Sequence, residues 1–277
     1  MNLQGIEVDD IRKSTLGYIR KHYLPWVIVY FVFVAGTIWL VCISGIAQLF
    51  IIDIIIGSAG YGYVYSKIET EFIKEFGAAI GYQYSPTAPM DSVSGRLFQT
   101  GDGRTIVDVL SGVYQNIPLR IYTYKTTIGE GKSRHTYSIR VFEATFQNNI
   151  PEVLLNYNDI IGSFTGLEKL KFESNDFNKL FEVHVPKGGE MEAYEIFTPD
   201  VMADLLDKTV FKNSYLNFEF SQNKLYIYTS ETINTKADMQ RAFDLTDYIL
   251  NLFKKNISEV SDSVIVPNTV GATAPNA

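Results

Sequence analysis

The most prominent pattern in the chain is a nearly unbroken apolar and aromatic block from Trp26 to Tyr65. One helix through this block would be about 60 Å long, twice the thickness of a hydrocarbon core of about 30 Å. The pattern therefore predicts two membrane spans, 26–43 and 49–65, separated by the small and polar residues of 44–48. A single span followed by a re-entrant or buried second segment remains open, because the linker is short and Asp53 lies close to it.

Basic residues flank both spans, and the turn between them carries neither Lys nor Arg. The flanking residues are Arg12, Lys13, Arg20, Lys21, His22, Lys67 and Lys74. Positive charge marks the cytoplasmic side of a membrane protein. We therefore expect a multi-pass protein of the cell (inner) membrane with both termini cytoplasmic. More than twenty residues precede the first span and no small-residue cleavage site follows it, so we expect the anchor to be retained.

Aromatic residues border the block at the same predicted membrane face, where amphipathic rings anchor spans at the lipid headgroups. The predicted anchors are Tyr23, Trp26, Tyr61, Tyr63 and Tyr65. The second span also carries small residues, which allow transmembrane helices to approach closely. The predicted helix-packing residues are Gly57, Ala59, Gly60 and Gly62. The economical partner is the first span of the same chain, and homo-oligomerisation through this face is the alternative.

Asp53 is the single residue of the apolar block that is charged at neutral pH. An intramembrane carboxylate is a candidate for function. Asp53 also lies about one turn from the polar break, where its side chain could reach the outer interface. Because no ion-coordinating or proton-relay partner lies nearby in the sequence, we favour the positional interpretation and retain Asp53 as a functional candidate.

Helical segments flank the spans. Apolar residues recur at helical spacing from Val8 to Tyr23, which predicts a juxtamembrane amphipathic segment over 1–25, either on the cytoplasmic leaflet or packed on the protein itself. Over 66–82 the same spacing predicts a helical connector that extends the second span and ends near Gly77.

The remainder of the chain alternates with period two, which is typical of strands. Strands are predicted over 104–114, 118–128, 134–146, 152–157, 168–173, 181–185, 214–220 and 224–229, with hairpin turns at 129–133 and 222–223. Thr198, Pro199 and Asp200 predict the start of a short helix through Leu206, because Thr caps helices and Pro suits the first turn. An amphipathic helix is predicted from about Thr235, followed by a disordered tail over 257–277.

These elements predict an α+β fold. A two-helix transmembrane hairpin precedes a cytoplasmic, mainly antiparallel sheet domain over 83–256, which contains a short internal helix and ends with the C-terminal amphipathic helix. The element order is also that of a PH-like barrel, an analogy that carries no lipid-binding prediction.

Composition narrows the function classes. Residues 1–65 hold four basic and four acidic residues, so the net charge of −7 belongs to the rest of the chain. An acidic domain disfavours a nucleic-acid partner, which requires clustered Lys and Arg. The single cysteine, Cys42, lies within the first span, which excludes an intramolecular disulfide and a cysteine-based zinc site.

Several segments resemble the bacterial DUF3137 family, whose function is unknown. The stretches FNKLFEVHVPKGGEMEAYEIFTPDVMADLLD and LNFEFSQNKLYIYTS carry the resemblance, and SGRLF and VFEATF upstream are similar to the same pattern. The resemblance covers about 83–229 and the two-span N-terminus. It implies a membrane protein without an assigned activity, often encoded beside LemA-type membrane proteins, and it supplies no catalytic residues.

The residues themselves indicate little chemistry. Gly131, Lys132 and Ser133 match the end of a phosphate-binding loop, but Thr126 stands where its first glycine belongs, and a strand follows where a helix is required. His135 and His184 are far apart and lack a second histidine at ligand spacing. We therefore expect no cofactor and no metal.

Acidic residues give two further candidates. The cluster Glu190, Glu192, Glu195, Asp200 and Asp204 lacks the regular spacing of calcium ligands and is interpreted as a solvated loop and helix start. Glu143 places a carboxylate inside an apolar strand. Such a residue usually points to solvent from the polar face of the sheet, and we retain it as a candidate.

Two hypotheses follow. In the first, the protein is a membrane-anchored cytoplasmic interaction or scaffold protein that binds a protein partner. In the second, it is a membrane-tethered ligand sensor or hydrolase with a dispersed site. The absence of a catalytic motif favours the first.

Overall fold

The structure is a computed structural model that describes residues 8–45, 48–156, 166–207, 217–229 and 236–263. Its helices are α1 (Val8–Ser44), α2 (Leu49–Ala79), α3 (Asn175–Leu180), α4 (Glu190–Ile196), α5 (Pro199–Asp207) and α6 (Lys236–Ser263). Its strands are β1 (Gln83–Ala88), β2 (Asp102–Tyr114), β3 (Ile117–Ile128), β4 (His135–Thr145), β5 (Val153–Asn156), β6 (Leu167–Leu170), β7 (Glu182–Pro186), β8 (Asn217–Ser221) and β9 (Lys224–Thr229).

Parts of several predicted elements lie outside the described residues. These are 1–7 of the predicted juxtamembrane segment, 46–47 of the predicted break, Tyr157 and 214–216 of two predicted strands, Thr235 at the predicted start of the last helix, and 264–277 of the predicted tail.

The predicted α+β class and large antiparallel sheet are confirmed. The strands form one nine-stranded sheet in the order β1-β2-β3-β4-β9-β8-β5-β7-β6, and every neighbouring pair is antiparallel. The predicted hairpins β3–β4 and β8–β9 are both present, with Ile128 opposite His135 and Ser221 opposite Lys224. Among the described strands β1 and β6 are the two edges of the sheet, so the PH-like closure is not confirmed.

Two long helices precede the sheet, and each is continuous across a predicted boundary. Helix α1 contains Pro25, where the juxtamembrane segment was expected to end. Helix α2 runs from the second predicted span through the predicted connector. It ends where Gly81 adopts a positive φ of 76° and the Tyr82 amide donates to the Gly77 carbonyl at 2.8 Å, a common glycine-based helix stop.

One face of the sheet, which we call the helix face, packs against the ends of the helices. Phe76 of α2 lies 6.1 Å from the ring of Phe243 of α6, and Phe243 lies 5.8 Å from Phe142 of β4. Residues of α3, α4 and α5 belong to the same core. Burial of this large aromatic and aliphatic set is the main driving force for folding of the domain.

A crossover covers the opposite face of the sheet. Strands β1 and β2 are adjacent and antiparallel. The segment that connects them, 89–101, does not turn directly from β1 into β2 but crosses over other strands of the sheet. We call this segment the strap. It contains two 3-10 turns, Met90–Ser92 and Arg96–Gln99, and it inserts Leu97 and Phe98 into a second, smaller core.

Sequence reasoning missed β1, α3 and α4. Strand β1 contains Pro86, which a strand accepts at a sheet edge. Helix α3 begins at Ser174, whose hydroxyl accepts from the Phe177 amide at 3.3 Å. Helix α4 begins at the acidic cluster that was interpreted as a solvated loop and helix start, and its Glu190 and Glu192 suit a helix N-terminus.

Helix α6 also extends beyond its expected end, from Lys236 to Ser263. The sequence predicted a disordered tail from 257. No glycine or proline interrupts the chain before Pro267, so nothing in the local sequence stops the helix at 256.

Candidate functional site

The first candidate site lies between α1 and α2. Tyr23 meets Tyr63 with ring centroids 6.2 Å apart, and the Tyr30 hydroxyl donates to the Asp53 carbonyl at 3.0 Å. Thr37 contacts the Asp53 carboxyl group further along. Because later residues of α1 contact earlier residues of α2, the two helices form an antiparallel hairpin.

The outer surface of this hairpin is apolar. The segment Arg20–Ser44 of α1 is long and apolar enough to cross a membrane, with a mean hydropathy of 2.5. Of the described helices, it alone meets this test, so an N-terminal apolar helix that suits a membrane anchor is confirmed and the second span stays a prediction. Side chains such as Trp26 and Phe31 are 71% and 65% exposed, which is unfavourable in water and favourable in lipid.

The predicted aromatic anchors all lie at one end of the hairpin. Trp26, Tyr61, Tyr63 and Tyr65 are exposed and Tyr23 is half-buried against Tyr63. Tyr61 stacks on Tyr65 at 6.2 Å, and the Lys67 ammonium lies 5.7 Å above the Tyr63 ring. The aromatic girdle and the basic flank therefore share one end, as an interfacial position requires.

The predicted helix-packing residues do not act together. Gly57 lies directly beneath the Tyr30 hydroxyl, where a Cβ would collide with the ring. Ala59, Gly60 and Gly62 are exposed, and open space surrounds the Cβ positions of Gly60 and Gly62. Gly57 therefore packs against α1, whereas Ala59, Gly60 and Gly62 face away from α1, because the face turned toward α1 is set by the 3.6-residue period rather than by residue size. A packing role of these three residues in a homo-oligomer stays a prediction.

This difference gives a matched pair of variants. We expect Gly57→Val to destabilise the hairpin by about 1 to 3 kcal/mol through overpacking against Tyr30, and Gly60→Val to leave it intact. The measurement is the yield of bis-maleimide crosslinking between cysteines introduced at Tyr23 and Tyr63 in a Cys42→Ser background. Equal yields in the two variants would contradict this packing.

Asp53 is buried within the hairpin. Its side chain is 5% exposed, its Oδ2 lies 2.6 Å from the Thr37 hydroxyl, and its Oδ1 has no hydrogen-bond partner among the described residues. The Thr37 hydroxyl also lies 2.8 Å from the Val34 carbonyl. The expectation that Asp53 reaches an interface without a nearby partner is therefore wrong, since α1 supplies the partner.

A groove of about 680 Å³ opens between the two helices near the aromatic end. Aromatic and small residues line it, including Trp26, Tyr30, Gly60 and Tyr61. Apart from the Tyr hydroxyls and the indole N–H of Trp26, the lining side chains are hydrocarbon, so the groove belongs to the same apolar outer surface.

The second candidate site is the sheet face beneath the strap. Register pairs align Arg120 of β3 with Glu143 of β4, Glu143 with Tyr226 of β9, and Tyr226 with Glu219 of β8. These four side chains form one row across the centre of the sheet, which we call the polar row. Glu143 and Glu219 are 1% and 0% exposed, so two carboxyl groups are buried in it.

Glu143 is held by three partners. Its Oε1 lies 3.0 Å from the Lys224 ammonium and 3.3 Å from the Arg120 guanidinium, and its Oε2 accepts from the Tyr122 hydroxyl at 3.0 Å. The expectation that Glu143 points to solvent is wrong. It does lie on the face of its strand opposite the helix face, but the strap covers that face.

Both cations also reach the strap. Lys224 donates to the Ser92 carbonyl at 2.6 Å, and Arg120 donates to the Ser92 hydroxyl at 3.3 Å. Glu143 therefore orients two basic side chains that hold one end of the strap, an arrangement in which charge and hydrogen bonds are satisfied together.

Glu219 holds the middle of the strap through main-chain contacts. Its Oε1 accepts from the Arg96 amide and its Oε2 accepts from the Leu97 amide at 3.3 Å. These amides begin the 3-10 turn Arg96–Gln99, so a carboxyl group from a distant strand caps that turn. Burial is the main reason that the pKa of Glu219 rises to about 7, and the two amides oppose the rise.

Aromatic contacts complete the strap's attachment. Phe98 lies 5.0 Å from the rings of both Tyr124 and Tyr226 in edge-to-face geometry and 6.3 Å from Tyr122. The Tyr226 hydroxyl accepts from the Ser94 amide at 3.0 Å. The strap is thus held by charged, main-chain and aromatic contacts at successive positions.

Position 95 requires glycine, because the strap packs closely on Glu219 and Tyr226 there. A Cβ there would lie 2.8 Å from Glu219 Oε2 and 3.2 Å from the Tyr226 ring. We expect Gly95→Ala to destabilise the domain by about 1 to 3 kcal/mol, seen as a lower midpoint of thermal unfolding. Gly60→Ala, where a Cβ meets open space and φ is not positive, is the control for an added methyl group. A Gly95→Ala midpoint no lower than that control would contradict the tight strap contact.

The remaining candidates stay apart. His135 is exposed at the start of β4, whereas His184 of β7 lies 3.5 Å from Glu182. The described residues contain no group of three or more potential metal ligands. Gly131–Ser133 forms a 3-10 turn between two strands, so the fragment of a phosphate-loop motif lacks the helix that would bind phosphate.

Sequence reasoning missed Glu219, Tyr226 and the strap. The available signal was a second carboxylate in an apolar strand, FEF, which matches the Glu143 pattern in VFEATF. Two such strands in one sheet would have suggested a covered polar face, but their alignment required the strand order.

Comparison with known proteins adds little. No family model matches the chain, and no curated protein matches it. Among solved structures, the chain is similar to the crystal structure of the mycobacterial trehalose monomycolate transport factor A, TtfA, at 10% sequence identity and a TM-score of 0.45. That match covers 72% of this chain and 96% of that one, and a likeness of this level carries no argument. The resemblance to DUF3137 stays a prediction.

Proposed function

We propose that the protein is a membrane-anchored interaction or scaffold protein. In this proposal α1 and the first part of α2 cross the cell (inner) membrane as a two-span hairpin, and the sheet domain binds a protein partner at the cytoplasmic surface. The observation that carries the proposal is the continuity of α2, which runs from the apolar hairpin into the core of the sheet domain.

Three residues of α2 enter that core. Phe72, Ile73 and Phe76 are 7%, 1% and 0% exposed on the helix face. Gly77 packs so closely on Leu110 of β2 that a Cβ would collide with its side chain. Because one rigid helix serves both parts, the domain is held at a defined height and orientation relative to the hairpin, as a membrane-surface scaffold requires.

Charge supports the proposed orientation. The contact between Tyr23 and Tyr63 brings Arg20, Lys21 and Lys67 to the same end of the hairpin, beside the sheet domain. A basic, aromatic end favours the cytoplasmic interface. The other end, around Gly45, carries no basic residue.

The sheet domain also exposes apolar side chains outside the hairpin. Met191 and Tyr194 of α4 are 74% and 48% exposed and lie three residues apart, on one side of the helix. Glu190, Glu192 and Glu195 surround them in the sequence. This surface suits a partner with apolar and basic side chains. The family resemblance implies a LemA-type membrane protein as the partner, and a second copy of this chain is the alternative.

The test is co-purification of the full-length protein in mild detergent, followed by native mass spectrometry. We expect a stoichiometric protein partner that is lost in Met191→Glu. Val113→Glu is the matched control. Val113 is a 64% exposed apolar residue that lies near the C-terminal end of β2 and outside α4. A monomer free of partners in the wild type, or equal loss in both variants, would contradict the proposal.

The polar row favours the second candidate function, a membrane-tethered ligand sensor or hydrolase. Two buried carboxyl groups beside tyrosine hydroxyls are a combination that catalytic and binding sites use. The supporting result would be a small molecule that co-purifies with the wild type and is absent from Glu143→Gln.

A further inference from the structure

The strap is longer than a direct connection between β1 and β2 requires. Adjacent antiparallel strands such as β1 and β2 are commonly joined by two to five residues, about the length of a tight hairpin loop. Here the connection crosses the sheet as far as Glu219 of β8 and Glu152, which immediately precedes β5. A loop that leaves its own hairpin and is held by several separate contacts is typical of lids and other functional loops.

We propose that the strap is a latch over the polar row, and that the protonation state of Glu219 sets how tightly the latch is closed. A neutral Glu219 holds the strap closed, and an ionised Glu219 loosens it. The latch does not rest on the proposed interaction function, because its contacts lie entirely within the sheet domain.

The geometry around Glu219 supplies the reason. Among the described residues, its carboxyl group accepts hydrogen bonds from two main-chain amides and from no basic side chain. The nearby guanidinium of Arg96 is turned to Glu152 instead, with Nε 2.5 Å from Oε1 and Nη2 3.3 Å from Oε2. An ionised Glu219 is therefore buried without a contacting cation, which is costly, and opening the strap would return the carboxylate to water.

Other titratable groups face Glu219 from each neighbouring element. Arg96 of the strap lowers its pKa, and Glu152 before β5 raises it. Tyr226 and Tyr228 lie on β9. Burial raises the pKa of Tyr226 to about 12 and raises the pKa of Tyr228 well above its ordinary value. Both phenols are neutral over the range in which Glu219 titrates, so neither tyrosine contributes a change of charge there.

The sign of the pH effect follows. The pKa of Glu219 is raised from its ordinary value of 4.5 to about 7 when the strap is closed. The closed state therefore keeps its full stability below 4.5, loses it progressively as the pH rises to about 7, and loses no more above that value. Opening uncovers the rings that pack on Phe98, namely those of Tyr122, Tyr124 and Tyr226.

The test is hydrogen–deuterium exchange of the full-length protein in detergent, at pH about 5 and about 8, corrected for intrinsic exchange rates. We expect the Arg96 and Leu97 amides to be protected more strongly at the lower pH, by on the order of a hundredfold. The amides of the β3–β4 hairpin serve as the internal control and should show no such change. Equal corrected protection of the strap at the two pH values would overturn the proposal.

Two variants make the test specific. In Glu219→Gln the strap should have the same protection at both pH values, because the side chain no longer titrates. If that variant fails to fold, Glu152→Gln provides the second arm, since removal of its negative charge should move the midpoint of strap protection to lower pH. A Glu219→Gln protein that keeps the wild-type pH dependence, or a Glu152→Gln midpoint that does not move, would overturn the assignment to Glu219.

Discussion

Replacement of Glu143 by leucine is expected to lower the free energy of unfolding of the sheet domain by about 2 to 4 kcal/mol. Glu143 is 1% exposed and is contacted by Lys224, Arg120 and Tyr122. Leucine would fill the space but leave two largely buried cations without their carboxylate. This loss of stability is smaller than that for breaking a fully buried ion pair, because the side chains of Arg120 and Lys224 remain 23% and 18% exposed.

The measurement is urea unfolding of the full-length protein in detergent, followed by circular dichroism. Glu143→Gln keeps one acceptor oxygen, which can face either Tyr122 or the two cations but not both, so it should lose less stability than the leucine variant. Glu130→Leu, on the exposed turn between β3 and β4, should lose about nothing. A leucine variant at position 143 that is as stable as Glu130→Leu would contradict the account of the polar row.

The second large effect is expected where the hairpin joins the domain. Phe76→Ala should destabilise the domain by about 3 to 5 kcal/mol. Phe76 is fully buried, lies 6.2 Å from Phe72 and 6.1 Å from Phe243, and is the deepest residue of α2 in the core. Its truncation would leave a cavity between α2 and α6 that neither long helix can close by a local shift.

Phe31→Ala is the matched control for that substitution. Phe31 lies on α1, is 65% exposed on the hairpin, and contacts no part of the sheet domain in the aromatic network. Both variants are compared by urea unfolding, as above. If Phe76→Ala unfolds at the same urea concentration as Phe31→Ala, α2 is not the structural link between hairpin and domain.

Local sequence signals predicted the elements whose contacts are close in the chain. The turn at 129–133 predicted the β3–β4 hairpin because alternating strands adjoin it on both sides. Thr198 caps α5 as expected, since its hydroxyl accepts from the Val201 amide at 3.4 Å. In both cases the information lies within a few residues of the element.

The strap site could not be predicted in the same way. Arg96 and Leu97 meet Glu219 across more than a hundred residues, and alternation in β4 and β8 is the same whether their polar face meets water or a covering loop. Glu143 was singled out as an unusual carboxylate, but its burial depends on a crossover from a different part of the chain.

The hairpin shows the same limit. Apolar length predicted two adjacent helices, and the girdle of aromatic residues was expected from composition. The packing between the helices depends on rotation about each axis, which brought Tyr30 over Gly57 and Thr37 against Asp53. A pattern of small residues alone does not specify that rotation.

The most direct test of the central claim is cysteine accessibility across the membrane. In a Cys42→Ser background, cysteines are introduced at Gln48, beside the turn between α1 and α2, and at Glu130 in the sheet domain, both of which are exposed. Spheroplasts are treated with a membrane-impermeant maleimide before and after permeabilisation. The two-span hairpin predicts labelling at position 48 in intact spheroplasts and labelling at position 130 only after permeabilisation. Labelling at position 130 in intact spheroplasts would contradict the account.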